Sequence, residues 1–312
     1  MQATGGFGLF YYPPPFVLAI LPFALLDPTV ATWLWAALSM AAFFGGVVLM
    51  PVSPTIRWAT ILLAGLSWPF AYAMKLGQVG PLLFLLFAIG WRWLENPLAL
   101  GGSAAAGAIV KLQPGLLLVW AALTRRWSAV VIGVVILAAA AGLATVVTGG
   151  LGVWADYVAL LRNVSDPIAT PHNFTPGAVA YQAGVPTGVA ASVQIVSSVA
   201  ALAVVVVAAL RASAAASYLA TVVASQLLSP VLWDHYAMLL LLPVAYLLGK
   251  RQWWAAAIPL AMSATLLFSA PPAVYPIAFW LTLIAVLAVG LRLDGQPDGE
   301  HDREPTPAPA PA

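Results

Sequence analysis

The chain has no cysteine. That excludes a disulfide, a thiolate nucleophile and a cysteine-held iron–sulfur cluster. Charge is nearly as scarce. Only 7% of the 312 residues are Asp, Glu, Lys or Arg, against about 25% in a soluble domain. An aqueous fold has no way to cover a chain that is 62% hydrophobic, so the class is a polytopic membrane protein. The net charge of +2 and the scattering of Lys and Arg leave no patch for a nucleic acid. The three histidines, one of them in the tail, argue against a histidine-rich metal centre, and no metal or cofactor is expected. There is no Walker, GxGxxG or HExxH motif, no repeat of fixed period and no basic start of a cleavable signal.

What the chain does have is long apolar runs. They exceed the alternating ten-residue strands of a barrel, so the expected fold is all-α, with about eleven transmembrane helices. The spans read at roughly 28–50, 58–74, 79–94, 97–110, 112–124, 127–148, 188–210, 212–229, 236–249, 252–269 and 274–292. Asp27-Pro28 is an N-cap followed by proline at the first helical position. Phe16 to Leu26 is too short to span and reads as an interfacial or re-entrant helix. Val153 to Leu161, inside the long loop from about 149 to 187, reads as an interfacial helix as well. Residues 1–293 form the membrane domain, and the polar, then Pro/Ala-rich stretch 294–312 reads as a disordered cytoplasmic tail.

If the span ends alternate, one face receives Arg57, Arg92, Arg125, Arg126, Arg211, Lys250, Arg251, Arg292 and Arg303, and the other only Lys75, Lys111 and Arg162. The positive-inside rule puts the first group in the cytoplasm of a multi-pass protein of the cell membrane. Asp27, Asp156, Asp166 and Asp234 then fall outside, while Glu95 and the acids of the tail fall inside.

The outer face collects the polar residues that can carry chemistry. Foremost is Leu228-Ser229-Pro230-Val231-Leu232-Trp233-Asp234-His235-Tyr236, flanked by apolar sequence. Ionisable groups at membrane depth are costly unless they face water or a partner. Asp234 can act as a general base and His235 can stabilise a leaving phosphate. The plainer reading makes Asp234 a helix cap and packs His235 against headgroups. Lys111, in Val110-Lys111-Leu112-Gln113-Pro114, is either a point charge for a phosphate or a lysine snorkelling to the interface. Lys75 and Gln78 flank Gly77 in a tight turn, where Gln78 can hydrogen-bond a hydroxyl-rich ligand. His172-Asn173 precedes a resumed helix and reads as structural on its own. Tyr11 and Tyr12 suit a membrane interface.

Taken in order, these segments resemble glycosyltransferase family 87. They are Tyr12-Pro13-Pro14-Pro15, Leu21-Pro22-Phe23-Ala24-Leu25-Leu26, Gly77-Gln78 before a leucine run, Lys111-Leu112-Gln113-Pro114 with Arg125-Arg126-Trp127, and Leu228 to Tyr236. The resemblance covers roughly residues 10 to 290. It implies a C-type glycosyltransferase fold and an integral-membrane hexosyltransferase. Such an enzyme moves a mannosyl or other pentosyl or hexosyl group, with inversion, from a polyprenyl-phosphate sugar to a lipid-linked or cell-envelope glycan on the outer face. The donor is typically polyprenyl-phosphate mannose, and no nucleotide or other cofactor is implied. Carried over by position, Gln78, Lys111, Trp233, Asp234 and His235 border the site, with Tyr12, Lys75, His172 and Asn173 as further substrate contacts. Family members carry a first transmembrane helix and an Asp-bearing outer loop ahead of the Tyr-Pro-Pro segment. Only eleven residues precede Tyr12 and none is acidic, so the chain reads as truncated relative to the family, and Asp234 is the substitute base. The family's usual Asn after Gly-Gln is missing, with Gly80 in that region. The competing readings are a multi-pass transporter and a catalytically inactive lipid-binding membrane partner.

Overall fold

The computed structural model describes residues 11–163, 167–268 and 272–294, and every regular element among them is a helix. In chain order these are α1 (Pro14–Ile20), α2 (Pro28–Leu49), α3 (Pro54–Gly65), α4 (Trp68–Lys75) and α5 (Gly80–Arg92). Next come α6 (Pro97–Val110), α7 (Leu116–Leu123), α8 (Trp127–Val147), α9 (Gly152–Asn163) and α10 (Pro176–Gln182). The last are α11 (Thr187–Arg211), α12 (Ala214–Leu227), α13 (Leu241–Gly249), α14 (Ala257–Phe268) and α15 (Val274–Asp294). The tail read as disordered lies, from residue 295 on, outside the described residues.

Local chemistry sets many of the helix starts. Asp27 Oδ1 accepts from the backbone N–H of Thr29 (2.9 Å) and of Val30 (3.4 Å), ahead of Pro28. Asn96 caps α6 in the same way, ahead of Pro97. Side-chain oxygens of Ser53, Thr175 and Ser213 cap α3, α10 and α12. Proline at the first helical position has no N–H to leave unpaired, so cap and proline act together.

Four helices are long and apolar enough to cross a membrane: α2, α8, α11 and α15. A fifth span arises if α4 and α5, bent by 119° at their junction, are one broken span. Length and apolarity therefore support four or five spans among the described residues rather than eleven. The physical reason is interruption. The run at 58–74 breaks between α3 and α4, where Ser67 precedes Trp68-Pro69, and the run at 112–124 opens as a 3-10 turn around Pro114. The run at 236–249 begins as a 3-10 segment, Asp234–Leu240. The 14-residue α6 and α12 each rise only about 21 Å, short of a ~30 Å hydrocarbon layer.

Helix α12 is the axis of the bundle. Every residue from Ala216 to Leu227 is buried, as expected of a helix that is apolar or small on all sides. Helix α13 is buried from Leu241 to Leu248. Between them runs the polar segment 228–236, which is therefore delivered by the two most enclosed helices. At the opposite end, a cleft of about 630 Å³ is bordered by Ser53, Trp91, Leu94, Ala215, Lys250 and Arg251. It gathers the α2–α3, α5–α6 and α13–α14 connections and the start of α12 at one end.

The tightest helix crossing is α6 on α8. Gly101 on α6 meets Ala129 and Gly133 on α8, small residues that let two backbones approach in lipid. A Cβ on Gly101 would sit 2.2 Å from the Ala129 carbonyl oxygen, a backbone atom that cannot swing aside. Gly101→Ala is expected to cost about 1–3 kcal/mol, seen as a lowered unfolding temperature in detergent. Gly142→Ala on α8, where a Cβ meets nothing within 4 Å, is expected to change stability by less than about 0.5 kcal/mol.

Candidate active site

Segment 228–236 is pinned by the side chain of Asn173. Asn173 is fully buried and its amide is saturated. Its Oδ1 accepts from the backbone N–H of Thr175 and of Leu232, each at 3.0 Å. Its Nδ2 donates to the carbonyls of Pro167 (2.7 Å) and Pro230 (3.1 Å). The Phe174 N–H adds a bond to the Leu232 carbonyl at 2.8 Å. From within, Gln113 Nε2 donates to Ser229 Oγ at 2.9 Å, and that hydroxyl donates to the Val231 carbonyl. The next residues thus leave α12 in a fixed direction.

Asp234 is gripped on both carboxylate oxygens. The backbone N–H of His235 donates to Oδ1 at 2.8 Å, and the indole N–H of Trp68 donates to Oδ2 at 3.3 Å. Trp68 opens α4, and its own backbone N–H donates to Ser263 Oγ of α14, which in turn donates to the Leu66 carbonyl. One turn on, the Tyr72 ring stacks on the Trp68 ring, centroids 4.9 Å apart and 17° from parallel.

His235 is 5% exposed, with Nδ1 3.5 Å from Asp234 Oδ1, and among the described residues neither ring nitrogen completes a hydrogen bond. It lies between two tyrosines, 6.3 Å from the Tyr72 ring and 4.9 Å from the Tyr236 ring. Burial lowers its pKa, Asp234 opposes that, and the charge of Lys111 reinforces it, so the imidazole is neutral near pH 7.

Lys111 ends α6 in an extended conformation, which carries its side chain off the helix. Its Nζ lies 3.7 Å from the centroid of the Tyr236 ring and 5.9 Å from that of Tyr12. Among the described residues it makes no ion pair or hydrogen bond. Burial pulls its pKa from 10.5 down to about 7. Tyr12 donates to Gln78 Oε1 at 3.2 Å, and burial pushes its own pKa up to about 12. Gln78 sits at the α4–α5 bend, where Gly77 takes φ 62° and the Trp35 indole N–H caps the Gly77 carbonyl at 2.8 Å. Glycine meets that left-handed turn without a Cβ penalty.

The structure thus brings together Tyr12, Gln78, Lys111, Asp234 and His235. Their contacts run in series from a cation, past an imidazole, to a carboxylate bordered by aromatic rings. Trp233 is half-buried against the core, with its carbonyl taken by the Tyr236 N–H. Lys75 is exposed at the end of α4, and no contact joins it to the group among the described residues. His172 is exposed with φ 56°, in a turn. Asn173, expected as a substrate contact, has no donor or acceptor left over and instead holds the loop. Sequence reasoning missed Trp68, Tyr72 and the Tyr236 ring beneath Lys111. The four-residue spacing of Trp68 and Tyr72 was the available signal for a ledge on one helix face.

The sequence model described as glycosyltransferase family 87 matches residues 10–233, well over half of the chain. The match spans Tyr12, Gln78 and Lys111 and ends at Trp233. No curated protein and no solved structure matches the chain.

Proposed function

Because this chain belongs to glycosyltransferase family 87, a family of membrane glycosyltransferases, we propose that it transfers a mannosyl group, or another pentosyl or hexosyl group, from a polyprenyl-phosphate sugar. The acceptor is a lipid-linked or cell-envelope glycan on the extracytoplasmic side, and the Arg-rich end of the bundle faces the cytoplasm of a cell-membrane protein. The observation that carries this reading is Lys111. A half-buried ammonium with no anion among the described residues, resting on the Tyr236 ring, suits an incoming phosphate.

The chemistry divides among the gathered groups. Asp234 removes the proton of the acceptor hydroxyl. The freed oxygen pair bonds to the anomeric carbon as the bond from that carbon to the phosphate oxygen breaks. The departing electrons stay on polyprenyl phosphate. Lys111 faces the charge that develops there, and a neutral His235 carrying its one proton on Nε2 donates a hydrogen bond on the edge away from Asp234. Gln78, held by Tyr12, meets a sugar hydroxyl.

The test uses pH. A donor phosphodiester keeps one negative charge across the neutral range, so any change in its binding there comes from the protein. The groups facing Lys111 are Tyr12, Tyr236 and His235, with Asp234 beyond His235. The phenols stay neutral and His235 gains no proton as pH rises. Lys111 is charged below about pH 7 and loses its proton above it. Donor affinity is therefore expected to be full at pH 6 and to fall as pH rises through 7, by up to about tenfold per pH unit. In Lys111→Arg, which keeps its charge, the fall should vanish even if the overall affinity changes. A donor KM that is flat from pH 6 to 9 in the unsubstituted chain would remove Lys111 as the phosphate site.

A further inference from the structure

The site has an aromatic wall that the transfer reaction, as set out above, leaves without a role. Trp68 and Tyr72 are stacked one above the other along α4. Both are only partly buried, so the pair keeps open surface. The stack is not a loose interfacial pair. Its indole N–H reaches Asp234 Oδ2, its tyrosine ring borders His235, and its helix start is bonded to Ser263 of α14. His235 beside it is a nearly sealed imidazole whose Nδ1 lies 3.5 Å from Asp234 Oδ1 and whose Nε2 has no partner among the described residues, a cost that a ligand oxygen would relieve.

We propose that Trp68 and Tyr72 form the apolar wall of a subsite for the sugar ring of the donor, with Asp234 and His235 as its polar end. A pyranose presents C–H bonds on its faces and hydroxyls at its rim. A pocket for it needs flat aromatic surface against a face and a few fixed polar atoms at the edge. The contacts place these in the order the donor requires. Lys111 rests on the Tyr236 ring, His235 borders that same ring, and the Trp68–Tyr72 stack borders His235 and Asp234. A sugar carried by a phosphate on Lys111 would extend along this series of contacts, toward the stack. The indole bond to Asp234 also makes Trp68 a positioning residue, since it fixes the carboxylate beside the ring it would act upon.

This inference rests on the lipid-phosphate-sugar reading, and the test separates the two. Binding of polyprenyl-phosphate mannose and of bare polyprenyl phosphate would be measured on the full chain in detergent micelles. The unsubstituted chain should prefer the sugar-bearing lipid by about tenfold, the scale of one good aromatic contact. In Tyr72→Leu and in Trp68→Leu the preference should fall to about twofold or less, with affinity for the bare lipid unchanged. That unchanged affinity also shows that these variants are folded. Tyr72→Phe keeps the ring and should keep the preference. Trp68→Phe should keep it too while lowering kcat, because the ring stays and the bond to Asp234 goes. A preference that survives both leucine substitutions overturns the subsite, as does equal binding of both lipids by the unsubstituted chain. Loss of both lipids together in the leucine variants also overturns it. Failure of the unsubstituted chain to bind either lipid would instead overturn the donor reading itself.

Discussion

Asp234→Asn is expected to reduce sugar transfer by about 10²–10⁴-fold, the contribution of a positioned general base. Two effects combine in it. The substituted side chain has no carboxylate to take the acceptor proton. It also has a single oxygen, whereas Asp234 offers one oxygen to the His235 N–H and the other to the Trp68 indole. If the amide oxygen faces His235, the amide NH₂ points its hydrogens at the Trp68 N–H, donor against donor. If it faces Trp68, the His235 N–H loses its acceptor. The unfolding temperature should fall only slightly, since about one hydrogen bond worth ~1 kcal/mol is lost. The measurement is transfer of radiolabelled sugar from polyprenyl-phosphate mannose by membranes containing the chain. Asp234→Glu is the companion variant, since it keeps the charge but displaces it. Transfer by Asp234→Asn within a few-fold of the unsubstituted chain would assign the base elsewhere.

The second large effect is on the fold. Asn173→Ala is expected to destabilise the protein by about 3–4 kcal/mol and to abolish transfer although its amide has no bond left for a ligand. Four bonds disappear at once, to Thr175, Leu232, Pro167 and Pro230. Each is worth about 1 kcal/mol net, and the backbone groups left behind are enclosed. Asn173→Asp keeps the oxygen that accepts from Thr175 and Leu232 but aims a second oxygen at two carbonyls. It should therefore be no better than the alanine. Thermal unfolding followed by tryptophan fluorescence reads both. A cost below about 0.5 kcal/mol for alanine would mean that the segment 228–236 is held by other groups.

These two residues also mark how far sequence alone carried. Helix starts encoded by a local signal were legible. Asp27-Pro28 and Asn96-Pro97 name their caps, and the expected span at 97–110 coincides with α6. The all-helical membrane class follows from composition. The number of spans did not come through, because hydropathy reads an apolar stretch as continuous across a proline or a 3-10 turn. Pro69, Pro114 and the 3-10 segment from Asp234 each broke such a stretch. For the candidate site, Asp234, His235, Lys111 and Gln78 stood out because each is polar in an apolar neighbourhood, and Tyr12 through the family resemblance. Trp68 and Tyr72 were passed over for the opposite reason. Aromatic residues near span ends are common at membrane interfaces, and only the fold brings this pair to Asp234, 166 residues away. Asn173 was seen, but a saturated structural amide and a ligand-binding amide look the same in a sequence.

The bond between the Trp68 N–H and Ser263 joins residues 195 apart, and this sets the timing of the protein's own making. At about 5–20 residues per second, ribosomal synthesis takes roughly 10 to 40 seconds to bring out Ser263 after Trp68. Trp68, Tyr72, Gln78 and Lys111 are made well before Asp234. Until then Trp68 has neither Asp234 nor Ser263, and Lys111 has no Tyr236 ring beneath it. A nascent chain that stops before α14 carries most of its apolar mass but lacks Ser263. Activity is therefore expected to appear as a single late event when the C-terminal helices dock, and the earlier helices must meanwhile find other partners for their polar groups.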